Sequence, residues 1–186
     1  MERTFETLKN EIKSCQKCDL CLTRKNTVFG DGIAKTKLLF VGEAPGQMED
    51  EMGLPFVGRS GKLLDKMLAA VDISRTKNMF ITNIVKCRPP NNADPTDTQR
   101  QACAEYLKQQ IDLISPKVIV CVGRIAATSL INPDFRVTKD HGKIYKKGEI
   151  DFMGTFHPSA LLRFPQNKEE AFKDFLTLKS FLAQLS

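Results

Sequence analysis

Two short runs constrain the architecture more than any other feature of the chain. Leu38-Leu39-Phe40-Val41 and Val118-Ile119-Val120-Cys121-Val122 are apolar at every position, and each ends at a glycine. A strand with one face in water alternates apolar and polar residues, whereas a strand covered on both faces does not. Both runs are too short for a helix, so each reads as a strand buried inside a sheet. Met79–Asn83 and Phe152–Phe156 read as two further strands. Between them lie helical patterns over 3–13 (Phe5, Leu8, Ile12), about 61–71 with Ser60 as its cap, and 96–115 beginning at Thr96. Two more cover about 124–130 and 167–184. Residues 43–58 read as loop, punctuated by Pro45, Gly46, Gly53, Pro55 and Gly58, and 136–147 read as a basic hairpin. This alternation predicts an α/β fold with a mostly parallel sheet covered by helices on both faces. Ligands of such folds bind at the carboxyl ends of the strands. Gly42-Glu43, Thr82-Asn83 and Phe156-His157 are three polar ends of that kind, and they are expected to meet.

The chain has 186 residues, read as a single domain over 1–186, with 41% hydrophobic and 27% charged residues. That content excludes wholesale disorder. No apolar stretch approaches the roughly 18–20 residues of a membrane span, and Met-Glu-Arg-Thr-Phe-Glu lacks the apolar run of an export signal. A cytoplasmic protein with no membrane partner is expected. Lys and Arg outnumber Asp and Glu by 28 to 22, which agrees with a polyanionic partner without requiring one.

The six cysteines are sharper. Cys15-Gln-Lys-Cys18-Asp-Leu-Cys21 is a C-x2-C-x2-C run, and Cys87 and Cys103 lie far downstream. Thiolates at this spacing can face one metal centre, and four suit either tetrahedral zinc or a [4Fe–4S] cluster. Cys121, inside an apolar strand, reads as a small buried hydrophobe. A centre joining residues near 15 to others near 87 and 103 would staple the N-terminal segment to the domain, a structural role.

Several motifs together resemble the family 4 uracil-DNA glycosylases, the iron–sulfur, often thermostable-type members of their superfamily. They are Gly42-Glu43-Ala44-Pro45-Gly46, Glu49-Asp50, Pro55-Phe56-Val57-Gly58, Asn83, Cys87-Arg88-Pro89-Pro90 and His157-Pro158-Ser159-Ala160. The resemblance runs from Cys15 to the last helix. It implies a three-layer α/β/α sandwich around a four-stranded parallel sheet, and a structural [4Fe–4S] cluster held by Cys15, Cys18, Cys87 and Cys103, with Cys21 not a ligand. The implied partner is uracil-containing DNA, single- or double-stranded, acted on by a monomer; a sliding clamp is a further candidate partner.

The residues fit that chemistry. An enzyme that acts on a base flips it into a snug pocket, and Phe56 resembles the aromatic that stacks on the uracil. Asn83 can bond O4 and N3–H together, which separates uracil from cytosine. His157 is the candidate donor to the departing uracil. The other histidine, His141, reads as a solvated residue of the basic hairpin. Glu43 is the candidate to stabilise the cationic sugar or orient the attacking water. Gly42 and Ala44 flank it as substrate-binding residues. Family 1 enzymes carry an aspartate where this chain has Ala44, which leaves the water-activating group open. Glu49 is the candidate wall against the thymine methyl. Because 43–51 holds Glu43, Glu49, Asp50 and Glu51 with no basic residue, at least one of these acids is expected to be structural. Arg88, Ser159 and Arg163 are the candidate DNA contacts, and Ala160-Leu161-Leu162-Arg163 resembles the loop that enters the minor groove. Arg136, Lys139, Lys143, Lys146 and Lys147 could equally be a solvated face or a phosphate contact. Two rivals stand beside this reading: an iron–sulfur DNA-binding relative without turnover, and a glycosylase shifted to hypoxanthine or xanthine.

Overall fold

In the computed structural model, which describes residues 3–185, the apolar runs become the inner strands of one sheet. Its strands are β1 (Asp31–Gly32), β2 (Leu38–Gly42), β3 (Phe80–Asn83), β4 (Val118–Val122), β5 (Ile144–Lys147) and β6 (Ile150–Thr155). The order is β1-β3-β2-β4-β6-β5. Strands β3, β2, β4 and β6 run parallel, while β1 and β5 pair antiparallel at the two edges. The sheet is therefore six-stranded and mixed, where a four-stranded parallel one was expected. Both extra strands are edges without an apolar run to announce them. β1 has only two half-buried residues, and β5 ends in the exposed Lys146 and Lys147.

The helices are α1 (Phe5–Lys13), α2 (Gln47–Met52), α3 (Arg59–Ala69), α4 (Asp97–Ile114), α5 (Arg124–Leu130), α6 (Val137–Asp140), α7 (Pro158–Arg163) and α8 (Lys168–Gln184). Successive strand residues face opposite sides, and the two cores divide accordingly. Leu39, Val41, Ile119 and Cys121 pack with residues of α1, α4 and α5. Leu38, Phe40, Val118, Val120 and Val122 pack with residues of α3 and α8. This two-sided burial is why the strands carry no polar positions. No helix among the described residues is long and apolar enough to cross a membrane.

Three local expectations change. The 43–58 segment is not all loop: Gly46 and Gly53 cap α2 at its two ends, and Glu49 and Asp50 occupy its first turn, where a helix favours acids. Helix α3 is capped by Gly58, so Ser60 lies inside it. The basic hairpin is α6 followed by β5, whose partner limb is β6. The Thr96 start holds as a capping box, with Thr96 and Gln99 bonding each other's backbone N–H.

Candidate active site

The carboxyl ends of β2, β3 and β6 open onto one cavity of about 630 Å³. Glu43 and Ala44 reach it from the loop after β2, Glu49 from α2, and Phe56 from the turn before α3. Asn83 borders it at the end of β3, and His157, Ser159 and Arg163 border it from the segment after β6. Two predicted residues stand off its wall. Gly42 lies directly behind: a Cβ there would come within 2.4 Å of the Phe56 ring and 2.5 Å of Asn83 Oδ1. Arg88 is one contact removed, its Nε donating to Oδ1 of the wall residue Asn92 at 2.8 Å.

Asn83 is 1% exposed, and its side-chain Oδ1 has no hydrogen-bond partner. A buried acceptor left unpaired costs roughly 1–3 kcal/mol, so this one is set for a donor that enters the cavity. Its backbone is fixed instead. The carbonyl of Asn83 accepts from Lys86 Nζ at 2.7 Å, and the same ammonium donates to Thr82 Oγ1 at 2.8 Å. Lys86 is fully buried, and desolvation brings its amine down from 10.5 to about 8.

Phe56 is buried and adopts φ 53°, a left-handed conformation that a non-glycine residue rarely holds. Its turn is bracketed by Glu49, whose Oε1 accepts the backbone N–H of Val57 at 2.8 Å and of Gly58 at 2.9 Å. Of the acidic run, Glu49 and Asp50 are buried, whereas Glu51 is exposed. Asp50 likewise accepts from the N–H groups of Lys25 and Asn26, and Glu51 from Lys25 and Gln47.

His157 caps α7. Its Nδ1 accepts the Ser159 N–H at 3.2 Å and lies 2.6 Å from Ser159 Oγ. With Nδ1 an acceptor, the neutral ring carries its proton on Nε2. Burial lowers its pKa to about 4, against a smaller opposing effect of Glu49. Its ring centroid is 6.0 Å from that of Phe56. Glu43 moves the other way, from 4.5 to about 7, first through burial and then through the Asp94 carboxylate, with Arg124 opposing.

Around the mouth, Arg163 sits in the last turn of α7, beside the exposed Leu162 and Phe164. His141 departs from its expected solvated setting. Its Nδ1 lies 2.8 Å from Asp174 Oδ1, and Asp174 is buried and also accepts from Thr155. Of the neighbouring cations, Lys143 pairs with Asp140 at 3.2 Å and Lys147 donates to the Leu130 carbonyl at 2.8 Å.

On the α1–α4 side of the sheet, Cys15, Cys18, Cys87 and Cys103 border one small cavity, with Cys21 also on its wall. None of them is joined in a disulfide. Among the described residues the wall carries Lys17, Arg24 and Lys86 and no carboxylate. Arg24 Nη1 donates to Cys87 Sγ at 3.3 Å, and its Nη2 donates to the Cys15 carbonyl at 2.7 Å. Among the described residues no three Cys, His, Asp or Glu side chains form a group that would hold a single metal ion. Cys121 is fully buried in β4, where desolvation pushes its thiol far up.

Sequence reasoning missed Asp94 and Arg124 on the main cavity wall. Arg124 was within reach, since it follows the end of β4 and the strand-end rule applies there as to the other three. Asp94 carried no signal beyond preceding Pro95.

Residues 29–178 match the family model of the uracil DNA glycosylase superfamily. A type-4 uracil-DNA glycosylase of Archaeoglobus fulgidus is 43% identical over 92% of this chain and 90% of its own length. One from Sulfurisphaera tokodaii is 43% identical over 95% of this chain and 84% of its own, and one from Thermotoga maritima 40% identical over 97% and 96%. The chain belongs to the uracil-DNA glycosylase superfamily and, within it, to the type-4 uracil-DNA glycosylases.

Proposed function

We propose that this protein is a monofunctional uracil-DNA glycosylase that hydrolyses the N-glycosidic bond of deoxyuridine in DNA. It releases uracil, leaves an abasic site and so begins base-excision repair. The observation that carries this reading is the buried, unpaired Oδ1 of Asn83 beside Phe56 and His157. A side-chain amide offers one acceptor and one donor side, which match N3–H and O4 of uracil; cytosine presents the opposite pair.

The flipped base stacks on Phe56 and meets Asn83 with its pyrimidine edge. As the C1′–N1 bond breaks, its electron pair passes to the uracil ring. Neutral His157, donating from Nε2, stabilises the charge that collects on O2. Glu43, ionised above about pH 7, faces the cationic sugar and orients the water whose oxygen bonds to C1′. The proton that this water loses ends on the departing uracil anion, so that neutral uracil is released. Among the described residues no lysine borders the cavity, which supports hydrolysis over Schiff-base chemistry. Glu49 is held by two backbone N–H groups, so it is a wall that does not yield to the C5 methyl of thymine. Arg88, Ser159 and Arg163 hold the DNA backbone, and the exposed Leu162 enters the gap left by the flipped base. The two cores pack on one sheet, which supports residues 1–186 acting as one domain.

Cys15, Cys18, Cys87 and Cys103 would hold a [4Fe–4S] cluster. An anionic cluster suits a wall that, among the described residues, carries three cations and no acid. Held by these residues, it would cross-link the N-terminal segment, the loop after β3 and α4, with no redox step.

The test is to treat uracil-containing oligonucleotides, single-stranded and with U opposite G, with cluster-loaded protein and then alkali. Strand breaks at uracil are expected. DNA binding without breaks would indicate a non-catalytic relative, and faster release of hypoxanthine or xanthine a shifted specificity; either would overturn the proposal.

A further inference from the structure

We infer that Arg75, which does not border the cavity, is a positioning residue that sets the plane of the Phe56 ring by gripping its backbone from behind. The inference rests on the proposed stacking of the base on Phe56.

The Phe56 turn needs holding. A left-handed conformation brings the Cβ of a non-glycine residue too close to the following carbonyl oxygen, so the φ of 53° persists only where the surroundings impose it. Glu49 holds the N–H groups on one side of the turn, at Val57 and Gly58. Arg75 holds the carbonyls on the other. Its Nη1 donates to the Pro55 carbonyl at 2.5 Å and its Nη2 to the Phe56 carbonyl at 2.7 Å. Consecutive peptide groups are thus held by opposite charges, with the aromatic side chain between them.

Arg75 is itself fixed. Its side chain is only 12% exposed. Nε and Nη2 donate to the two carboxylate oxygens of Asp65 at 3.1 and 3.2 Å, and Nη1 reaches Asp31 at 3.5 Å. A planar guanidinium can grip a carboxylate with one edge and two backbone carbonyls with the other, which an ammonium cannot. The fit is close: a Cβ on Gly61 would lie 1.9 Å from the Phe56 carbonyl oxygen. This is unlike an exposed ion pair, which contributes little. Because Gly42 also backs the Phe56 ring, a turn released at Arg75 leaves the ring free to tilt only toward the cavity.

The experiment compares Arg75→Gln and Arg75→Lys in the full-length, cluster-loaded protein, each with Phe56 present and with Phe56→Ala. Hydrogen exchange at the Val57 and Gly58 amides should rise about tenfold or more in Arg75→Gln, while exchange in β2 and β4 stays unchanged. With Phe56 present, kcat/KM for uracil release should fall about tenfold or more, with Arg75→Lys intermediate. In the Phe56→Ala background the same substitution should change it less than about twofold. A uniform rise in exchange, no rise at Val57 and Gly58, or equal losses in both backgrounds would overturn the inference. Absence of uracil release by the wild type would instead defeat the proposed function, and the exchange measurement would still decide whether Arg75 holds the turn.

Discussion

The Ser159 backbone N–H donates to Nδ1 of His157 at 3.2 Å, which assigns the ring's own proton to Nε2. Burial keeps that ring neutral down to about pH 4. Nitrogen NMR should therefore show the neutral Nε2–H tautomer between about pH 6 and 8, and an imidazolium signal at pH 6 would contradict the assignment. His157→Ala should lower kcat by about 10²–10³-fold with the fold retained. The folded-state pKa is depressed, so the associated stability is fully present above the unfolded value of about 6.5. It is lost as pH falls from there toward about 4, and a melting series over that range reads it.

Glu43 titrates near neutrality because burial and Asp94 outweigh Arg124. If its carboxylate is the working form, kcat/KM should rise about tenfold per pH unit below about pH 7 and level off above it. Glu43→Gln should abolish that limb, and Arg124→Ala should move its midpoint to higher pH by removing the opposing cation. A profile that keeps its limb in Glu43→Gln would assign the ionisation elsewhere.

Gly42→Ala should disable the site without unfolding the protein. The added carbon would sit 2.4 Å from Phe56 and 2.5 Å from Asn83 Oδ1, so one of the two proposed base contacts must move. Misplacement of about 1 Å costs roughly 100-fold in rate. An Ala variant with a near-wild-type kcat/KM would show that neither contact matters.

The cysteines should sort by substitution. If these four hold the proposed cluster, replacing Cys15, Cys18, Cys87 or Cys103 with Ser should remove iron and visible absorption and lower the melting temperature, because a centre bound only by the folded chain adds its binding energy to folding. Cys21→Ser and Cys121→Ser should keep both iron and colour. One zinc per chain and no visible absorption would replace the cluster with a single metal ion.

Much of this was legible in the residues, for identifiable reasons. The inner strands could be read because burial on both faces leaves runs such as Val118–Val122 with no polar position. The strand ends could be read because that is where a parallel sheet exposes polar backbone and side chains. Strands β1 and β5 could not, since an edge is half solvated and needs no apolar run. Helix α2 was hidden by Gly46 and Gly53, which cap a short helix as readily as they interrupt a long one. His141 was misjudged from its lysine neighbours because its partner, Asp174, lies 33 residues away in sequence. Arg75 was invisible for the same reason: its role depends on the carbonyls of Pro55 and Phe56, and a carbonyl has no sequence signature.

The unpaired Oδ1 of Asn83 is the atom on which the proposed uracil recognition rests. Its decisive measurement is kcat/KM for uracil-containing DNA in the wild type and in Asn83→Ala, with iron content and melting temperature matched. Loss of the paired amide should cost about 100-fold or more, with wild-type release of cytosine undetectable beside that of uracil. An Asn83→Ala enzyme with its cluster intact and its rate within about twofold of the wild type would contradict this assignment.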